Sequence, residues 1–287
     1  MDTASLKYQN IFADEREQLR LATQNRLMHE CETPIFREIF AGKQGLNVLD
    51  VGSNNGEKTV RWFSDPAVGR VLGLEFSEPL ALQAQAAYGD GRFRFCQSDA
   101  DAEDFAKRLD ALMAEQGIDA FDVVYLSFVL SHLRAPRRLL AHLRTRMRPG
   151  GTLVAVETND PASFLTPDGG LLPEFLSMLS LDPYAGARSL GARLPGMLAD
   201  SGFRAPVLRC AAIEAGPGEA EKKEMIFEMF FSYLPGDAAL LRQIEPDDPR
   251  FARWEAWLDR NYAALRRSIL APESRISMGM SVVSCME

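Results

Sequence analysis

Leu46-Asn47-Val48-Leu49-Asp50-Val51-Gly52-Ser53-Asn54-Asn55-Gly56-Glu57-Lys58 is the stretch that decides how this chain folds. It opens as an apolar run of strand type, passes through a tight Gly/Asn loop at 52–56, and takes on a helical pattern near Glu57. A strand that feeds such a loop and then a helix is a nucleotide-cradling arrangement. Gly52 lets a ligand approach the backbone closely. Asn54 and Asn55 are the non-glycine residues that best tolerate positive φ. Glu75 closes the next strand-like run, Arg70-Val71-Leu72-Gly73-Leu74-Glu75. A carboxylate at that place can accept both hydroxyls of a ribose. Together these residues predict a binding edge for an adenosine-containing ligand.

The remaining chain is organised around that unit. Apolar strand-like runs recur at 46–51, 70–76, 92–96, 121–127 and 151–157, with helical segments between them. This alternation predicts a doubly wound α/β fold on a parallel sheet. Further strands are expected at 206–213 and 276–285, which makes a seven-stranded, mostly parallel sheet. Helices are expected at about 8–41, with Pro34 breaking that region or starting a second helix, and at 189–201, ended by Gly202. The sixty residues at 214–275 exceed what a hairpin needs. They carry helical patterns at Glu221–Tyr233 and Arg250–Leu270, so a helical insertion is expected there.

Composition narrows the function. The chain has 287 residues, 46% of them hydrophobic, and a net charge of −8. That length suits one large α/β domain with a subdomain. An acidic chain lacks the footprint of a nucleic-acid binder; the arginines at 134, 137, 138, 144, 146 and 148 read as a solvated helix face. No apolar run approaches the ~20 residues of a membrane span. Cys31, Cys96, Cys210 and Cys285 form no CxxC pair, so zinc and thioredoxin-type readings have no support. Cys96 and Cys210 read as buried free thiols in apolar runs. These features, with no leader-like N-terminus, point to a cytoplasmic protein in a reducing compartment with neither membrane nor nucleic acid as partner.

The motifs resemble those of the class I S-adenosylmethionine-dependent methyltransferases. The family's first motif, an acidic residue followed by alternating glycines, stands here as Asp50-Val51-Gly52-Ser53-Asn54-Asn55-Gly56, with Asn54 in place of the middle glycine. Glu75 matches the ribose-binding carboxylate, followed by Phe76. Gln97-Ser98-Asp99-Ala100 matches the adenine-contacting segment. Phe121 to Phe128 matches the fourth motif, Ser131-His132-Leu133 the helix start beyond it, and Leu143 to Gly151 the segment before the fifth strand. The resemblance covers about 46–202 and implies S-adenosyl-L-methionine as cofactor, with S-adenosyl-L-homocysteine as its product. It implies Asp50, Gly52, Ser53, Asn54, Gly56, Glu75, Phe76, Ser98, Asp99, Ala100, Ser127, Phe128 and His132 as cofactor-binding. Together with the helical patterns on either side, the chain is expected to divide into an N-terminal helical cover (1–43), a cofactor-binding core (44–213 with 276–287) and a substrate lid (214–275).

The acceptor side is read from position. His132 follows the fourth strand and is either a base, an acceptor-orienting group, or a residue that packs near the cofactor without chemistry. Glu157 and Asp160 follow the fifth strand, as a base or as contacts for an amine acceptor. Asp160 otherwise serves as a turn residue before Pro161, and Asp99 otherwise caps a helix starting near Ala102. Catechol-type relatives hold a metal with an acid after the fourth strand; this chain has Ser127 there, so no metal is expected. Tyr8, Phe12, Arg20, Gln24 and Asn25 line the first helix, where Arg20 or Tyr8 is a candidate for the cofactor carboxylate. Tyr184 and Arg188 are candidates for the acceptor pocket, and Phe227, Phe230, Phe231, Tyr233 and Trp254 are either lid core or an aromatic acceptor wall. The function these features support is methyl transfer to a small molecule. A protein or RNA acceptor is the alternative, although Ser127-Phe128-Val129-Leu130 replaces the Asn-Pro-Pro-Tyr-type motif of many such enzymes. A non-catalytic cofactor-binding role also stays open, whereas the broken G-x-G-x-x-G spacing disfavours a nicotinamide enzyme.

Overall fold

The structure is a computed structural model that describes residues 15–167, 169–180, 182 and 185–287. In chain order the elements are α1 (Glu15–Phe40), β1 (Leu46–Val51), α2 (Glu57–Phe63), β2 (Val68–Glu75), α3 (Glu78–Tyr88), β3 (Phe93–Gln97), α4 (Phe105–Glu115) and β4 (Phe121–Ser127). They continue with α5 (Pro136–Arg144), β5 (Met147–Thr158), β6 (Phe164–Thr166), α6 (Leu171–Leu179), α7 (Leu190–Asp200) and β7 (Arg204–Ala215). The last are α8 (Ala220–Phe231), α9 (Leu234–Ile244), α10 (Pro249–Leu270) and β8 (Arg275–Met286). Short 3₁₀ turns cover Leu130–His132 and Asp160–Ala162.

Two compact units share these elements. One holds Glu30–Thr158, Leu190–Cys210 and Ser281–Glu287. Its strand order is β3-β2-β1-β4-β5-β8, with β3, β2, β1, β4 and β5 mutually parallel. Every residue of β1 is buried, as a strand covered on both faces requires. On one face Leu49, Leu72, Val124 and Leu126 pack with Phe105 and Leu109 of α4, Leu139 and Leu143 of α5, and Leu194 and Leu198 of α7. On the other, Phe36 of α1 sits 5.2 Å from the ring of Phe63 and 5.4 Å from that of Tyr125. The alternation of Val124 and Tyr125 between these clusters is the period of two of a strand.

The second unit holds the described residues through His29, Asn159–Ser189 and Ala211–Met280. Its core is aromatic: Phe175 lies 4.9 Å from Phe231, 5.9 Å from Trp254 and 6.0 Å from Trp257 between ring centres. Phe227, Phe230, Phe231 and Trp254 are all buried there, so they serve that core. Lys223 is also buried, its Nζ donating to the carbonyls of Ala271 (2.6 Å) and Pro272 (3.3 Å) just past α10. A cation at a helix C-terminus is favourable.

Several expectations need correction. Among the described residues the strands number eight, not seven; the addition is β6, three residues antiparallel to β8 through Leu165↔Ile276. Pro34 neither breaks nor starts a helix, because α1 runs through it. Helices α6 and α9 were not expected. Cys210 is no free thiol: it forms a disulfide with Cys31, with Cα atoms 5.9 Å apart across a sequence separation of 179. Cys96 and Cys285 are free. Among the described residues no helix is long and apolar enough to cross a membrane.

Candidate functional site

The loop after β1 is held by its own neighbours. The amides of Gly52 and Ser53 both donate to the Leu74 carbonyl, at 2.8 and 3.0 Å. Gly52 has φ 82°, and a Cβ there would lie 2.5 Å from Cγ2 of Val129. Both facts demand glycine. Asn54 takes φ 49°, the left-handed conformation its residue type tolerates, and Gly56 at φ 80° opens α2.

Glu75 closes β2 beside this loop. Its Oε2 accepts from the Asn54 amide at 2.8 Å and its Oε1 from the Ser77 amide at 2.9 Å. Burial raises the pKa of Glu75, and the amides of Ser77, Asn54 and Phe76 partly offset this. A carboxylate offers about four lone-pair sites, so a place for a further donor remains beside these three amides. Asp50 lies one strand over, paired across β1 and β2 with Gly73. It is buried and accepts from Thr59 Oγ1 at 2.6 Å. Burial pushes its pKa up to about 7; Thr59 and Lys58 pull it down, while Glu32 and Glu75 add to the rise.

The remaining candidates fall along the same strand ends. The Ser53 hydroxyl is buried without a partner among the described residues, and a Cβ on Gly73 would meet it at 3.0 Å; it lies under the loop. Ser98 is buried and donates its amide to the Glu75 carbonyl at 2.8 Å. Phe76 and Ala100 are half-buried. Asp99 does not cap α4, which begins at Phe105. Its Oδ1 instead accepts from the Asp101 amide at 2.8 Å, and Asp101 accepts from the amides of Arg134 (2.8 Å) and Ala135 (3.2 Å). The segments after β3 and β4 are thereby stitched together.

Beyond β4, Phe128 adopts φ 56°, a conformation that a bulky residue holds only when its surroundings impose it. Its amide donates to Val156 at 2.8 Å. Glu157 fixes the next turn: fully buried, it accepts from the Ser131 amide at 3.2 Å. Its Oε2 has no hydrogen-bond partner among the described residues. Burial pushes the Glu157 pKa up to about 7, against the Ser131 hydroxyl and the amides of Ser131, Leu130 and Val129. His132 is exposed.

Sequence reasoning missed a buried polar network in this unit. Glu32 is fully buried. It accepts from Tyr125 Oη at 2.5 Å and Lys58 Nζ at 3.1 Å on one oxygen, and from Trp62 Nε1 at 2.7 Å on the other. Lys58 Nζ also donates to Ser127 Oγ at 2.9 Å. The signal was available: Glu32 sits four residues from Met28 and from Phe36 on one apolar helix stripe, where a carboxylate needs a partner.

The second unit holds Asp160, Arg188 and Arg20. Arg188 Nε and Nη2 bind the two oxygens of Asp160 at 2.6 and 3.0 Å. Arg20 grips Glu17 at two points, each 2.7 Å, donates to the Met229 carbonyl at 2.8 Å and lies 5.1 Å from the Tyr233 ring centre. Burial pushes Tyr233 up to about 12, and Asp237 up to about 8 with Asp182 and Glu17 adding to it. Gln24 accepts from Arg20 at 3.2 Å, and Asn25 is buried. Tyr8, Phe12 and Tyr184 lie outside the described residues.

Comparison with known proteins places this geometry. Residues 49–153 match the methyltransferase-domain family. Over 116 residues the chain is 28% identical to the demethylmenaquinone methyltransferase of Lactiplantibacillus plantarum, covering 40% of this chain and 46% of that protein. Over 148 residues it is 29% identical to a reducing polyketide synthase of Aspergillus oryzae, covering 50% of this chain and 6% of the synthase. The chain thus spans less than half the length of either curated relative. A candidate methyltransferase from Bacillus halodurans C-125 shares the fold at a TM-score of 0.52 and 17% identity, over 88% of this chain and 97% of that one. Joined with the strand order and the acid-flanked loop, the match supports residues 49–153 as a methyltransferase domain.

Proposed function

We propose that this protein is an S-adenosylmethionine-dependent methyltransferase that methylates a small-molecule acceptor by in-line displacement. The observation that carries this reading is the placement of Glu75 on the strand next to the left-handed Gly52–Gly56 loop, tied to it through Asn54. The residues suit the cofactor's charges: Glu32, Asp50 and Glu75 outnumber Lys58 in mutual electrostatic reach, and the ligand carries two cationic centres and one carboxylate. When bound, S-adenosylmethionine supplies a methyl group already activated on a sulfonium sulfur. Glu75 is assigned to the ribose, Asp99 with Ser98 and Ala100 to the adenine, and the loop to the amino-acid tail. The protein's task is orientation and exclusion of water, so no nucleophilic triad is required. A base is needed only for a protonated acceptor. His132 is the accessible candidate. Buried Glu157, gripping the 129–131 turn, is better suited to position it than to meet an acceptor.

A small acceptor is favoured by the acidic surface and by the likeness to a demethylmenaquinone methyltransferase. Incubation with methyl-labelled donor should label metabolite extracts and leave bulk RNA and protein unlabelled. Label confined to RNA or protein would reverse the assignment. Within this reading, Glu75→Ala should weaken donor binding by at least ~1.5 kcal/mol, the scale of a charged hydrogen bond. Calorimetry checks it, and an unchanged affinity removes Glu75 from the ribose.

A further inference from the structure

The loop after β1 offers no free backbone donor to an anion. All six amides from Gly52 to Glu57 are committed inside the protein: Gly52 and Ser53 to Leu74, Gly56 to Ser53, Asn54 to Glu75, and Asn55 and Glu57 to asparagine side chains. The cofactor's tail ends in a carboxylate, so its partner must come from elsewhere. Arg20, one sequence candidate, has its guanidinium bound to Glu17 and the Met229 carbonyl within the other unit.

Lys58 is placed for the task. Its Nζ donates to Glu32 and Ser127 and stands 5.1 Å from the Tyr125 ring centre; an ammonium has three N–H donors, so one makes no hydrogen bond to the described residues. Lys58 stands on the helix that follows β1, and Ser127 ends β4. These neighbouring strands are where the order β3-β2-β1 gives way to β4-β5, the switch point at which open α/β sheets bind ligands. Glu32 cannot swing aside, because Tyr125 and Trp62 hold both of its oxygens. A buried ion pair gains little stability over apolar packing of the same volume; what this one secures is a fixed cation at the switch point.

We infer that Lys58 holds the carboxylate of the donor's amino-acid tail, its ammonium fixed in place by Glu32 and Ser127. The inference rests on the reading of the site as one for S-adenosylmethionine. It explains why, among the described residues, Asp50 feels one base, Lys58, beside the acids Glu32 and Glu75: the acids suit the ligand's sulfonium and amine, and Lys58 suits its one anion.

Two ligands separate the possibilities. S-adenosyl-L-homocysteine carries the tail; 5′-methylthioadenosine keeps the nucleoside and lacks the tail's carboxylate. In the full-length protein, Lys58→Met should weaken S-adenosyl-L-homocysteine binding by about tenfold or more, the scale of a lost charged hydrogen bond. It should leave methylthioadenosine within about twofold on the same scale. Lys58→Gln, which retains a donor without charge, should show the same tail-specific loss if Met at this site disturbs folding. An equal loss for both ligands, or none for either, overturns the assignment to Lys58 while leaving the cofactor reading intact. Failure of the unaltered protein to bind either ligand overturns both.

Discussion

Glu32→Ala is expected to lower the free energy of unfolding by about 4 kcal/mol, the range found when one member of a buried ion pair is removed. The substitution removes a shared acceptor from three donors at once, Lys58 Nζ, Tyr125 Oη and Trp62 Nε1, and leaves Lys58 the neutral Ser127 Oγ. The ammonium dominates the cost, because a buried charge that loses its hydrogen-bonded counter-ion is penalised far more than a neutral donor. Removing Lys58 as well should therefore recover part of the loss, giving the double variant Glu32→Ala, Lys58→Met a smaller deficit than Glu32→Ala alone. Urea unfolding of the three proteins measures this. A Glu32→Ala deficit below about 1 kcal/mol, the worth of an exposed pair, would show that the network is not closed as described.

The second large effect is on pH dependence. Asp50 and Glu157 are pushed up to about 7 from ordinary carboxylate values of 3.8 and 4.5, chiefly by burial. Between those ordinary values and pH 7 the unfolded chain has lost protons that the folded chain keeps. Stability therefore falls as pH rises through this window and levels off above it. Each group contributes about 1.4 kcal/mol per pH unit within it. Asp237 in the other unit, pushed up to about 8, extends the decline. Glu157→Gln retains the oxygen that accepts from Ser131 and abolishes the ionisation. The variant should match the unaltered protein near pH 5 and exceed it at pH 8 by about 3 kcal/mol at most, from the pKa displacement of Glu157. Denaturant midpoints at the two pH values test this, and parallel profiles would place Glu157 in contact with solvent.

The α/β core was legible because strands buried on both faces leave continuous apolar runs, as Leu46–Val51 and Phe121–Ser127 do. Strand β6 escaped because three residues are too few for any periodicity to register. Helices α6 and α9 carry Pro173 and Pro235, a residue type that breaks a helix interior. Both lie within the first turn of their helix, where the missing N–H costs nothing. The cofactor side followed from residues near one another in sequence: Gly52, Asn54 and Gly56 set the loop, and Glu75 ends the next strand. The Glu32–Lys58–Ser127 network was harder to see because its members come from three separate elements. The Cys31–Cys210 pair was hidden for the same reason, since nothing in the sequence brings two distant cysteines together.

The most direct test of the account is a calorimetric titration of the purified full-length protein with S-adenosyl-L-homocysteine. The account predicts saturable binding with one ligand per chain. Absence of binding up to high micromolar ligand would contradict it.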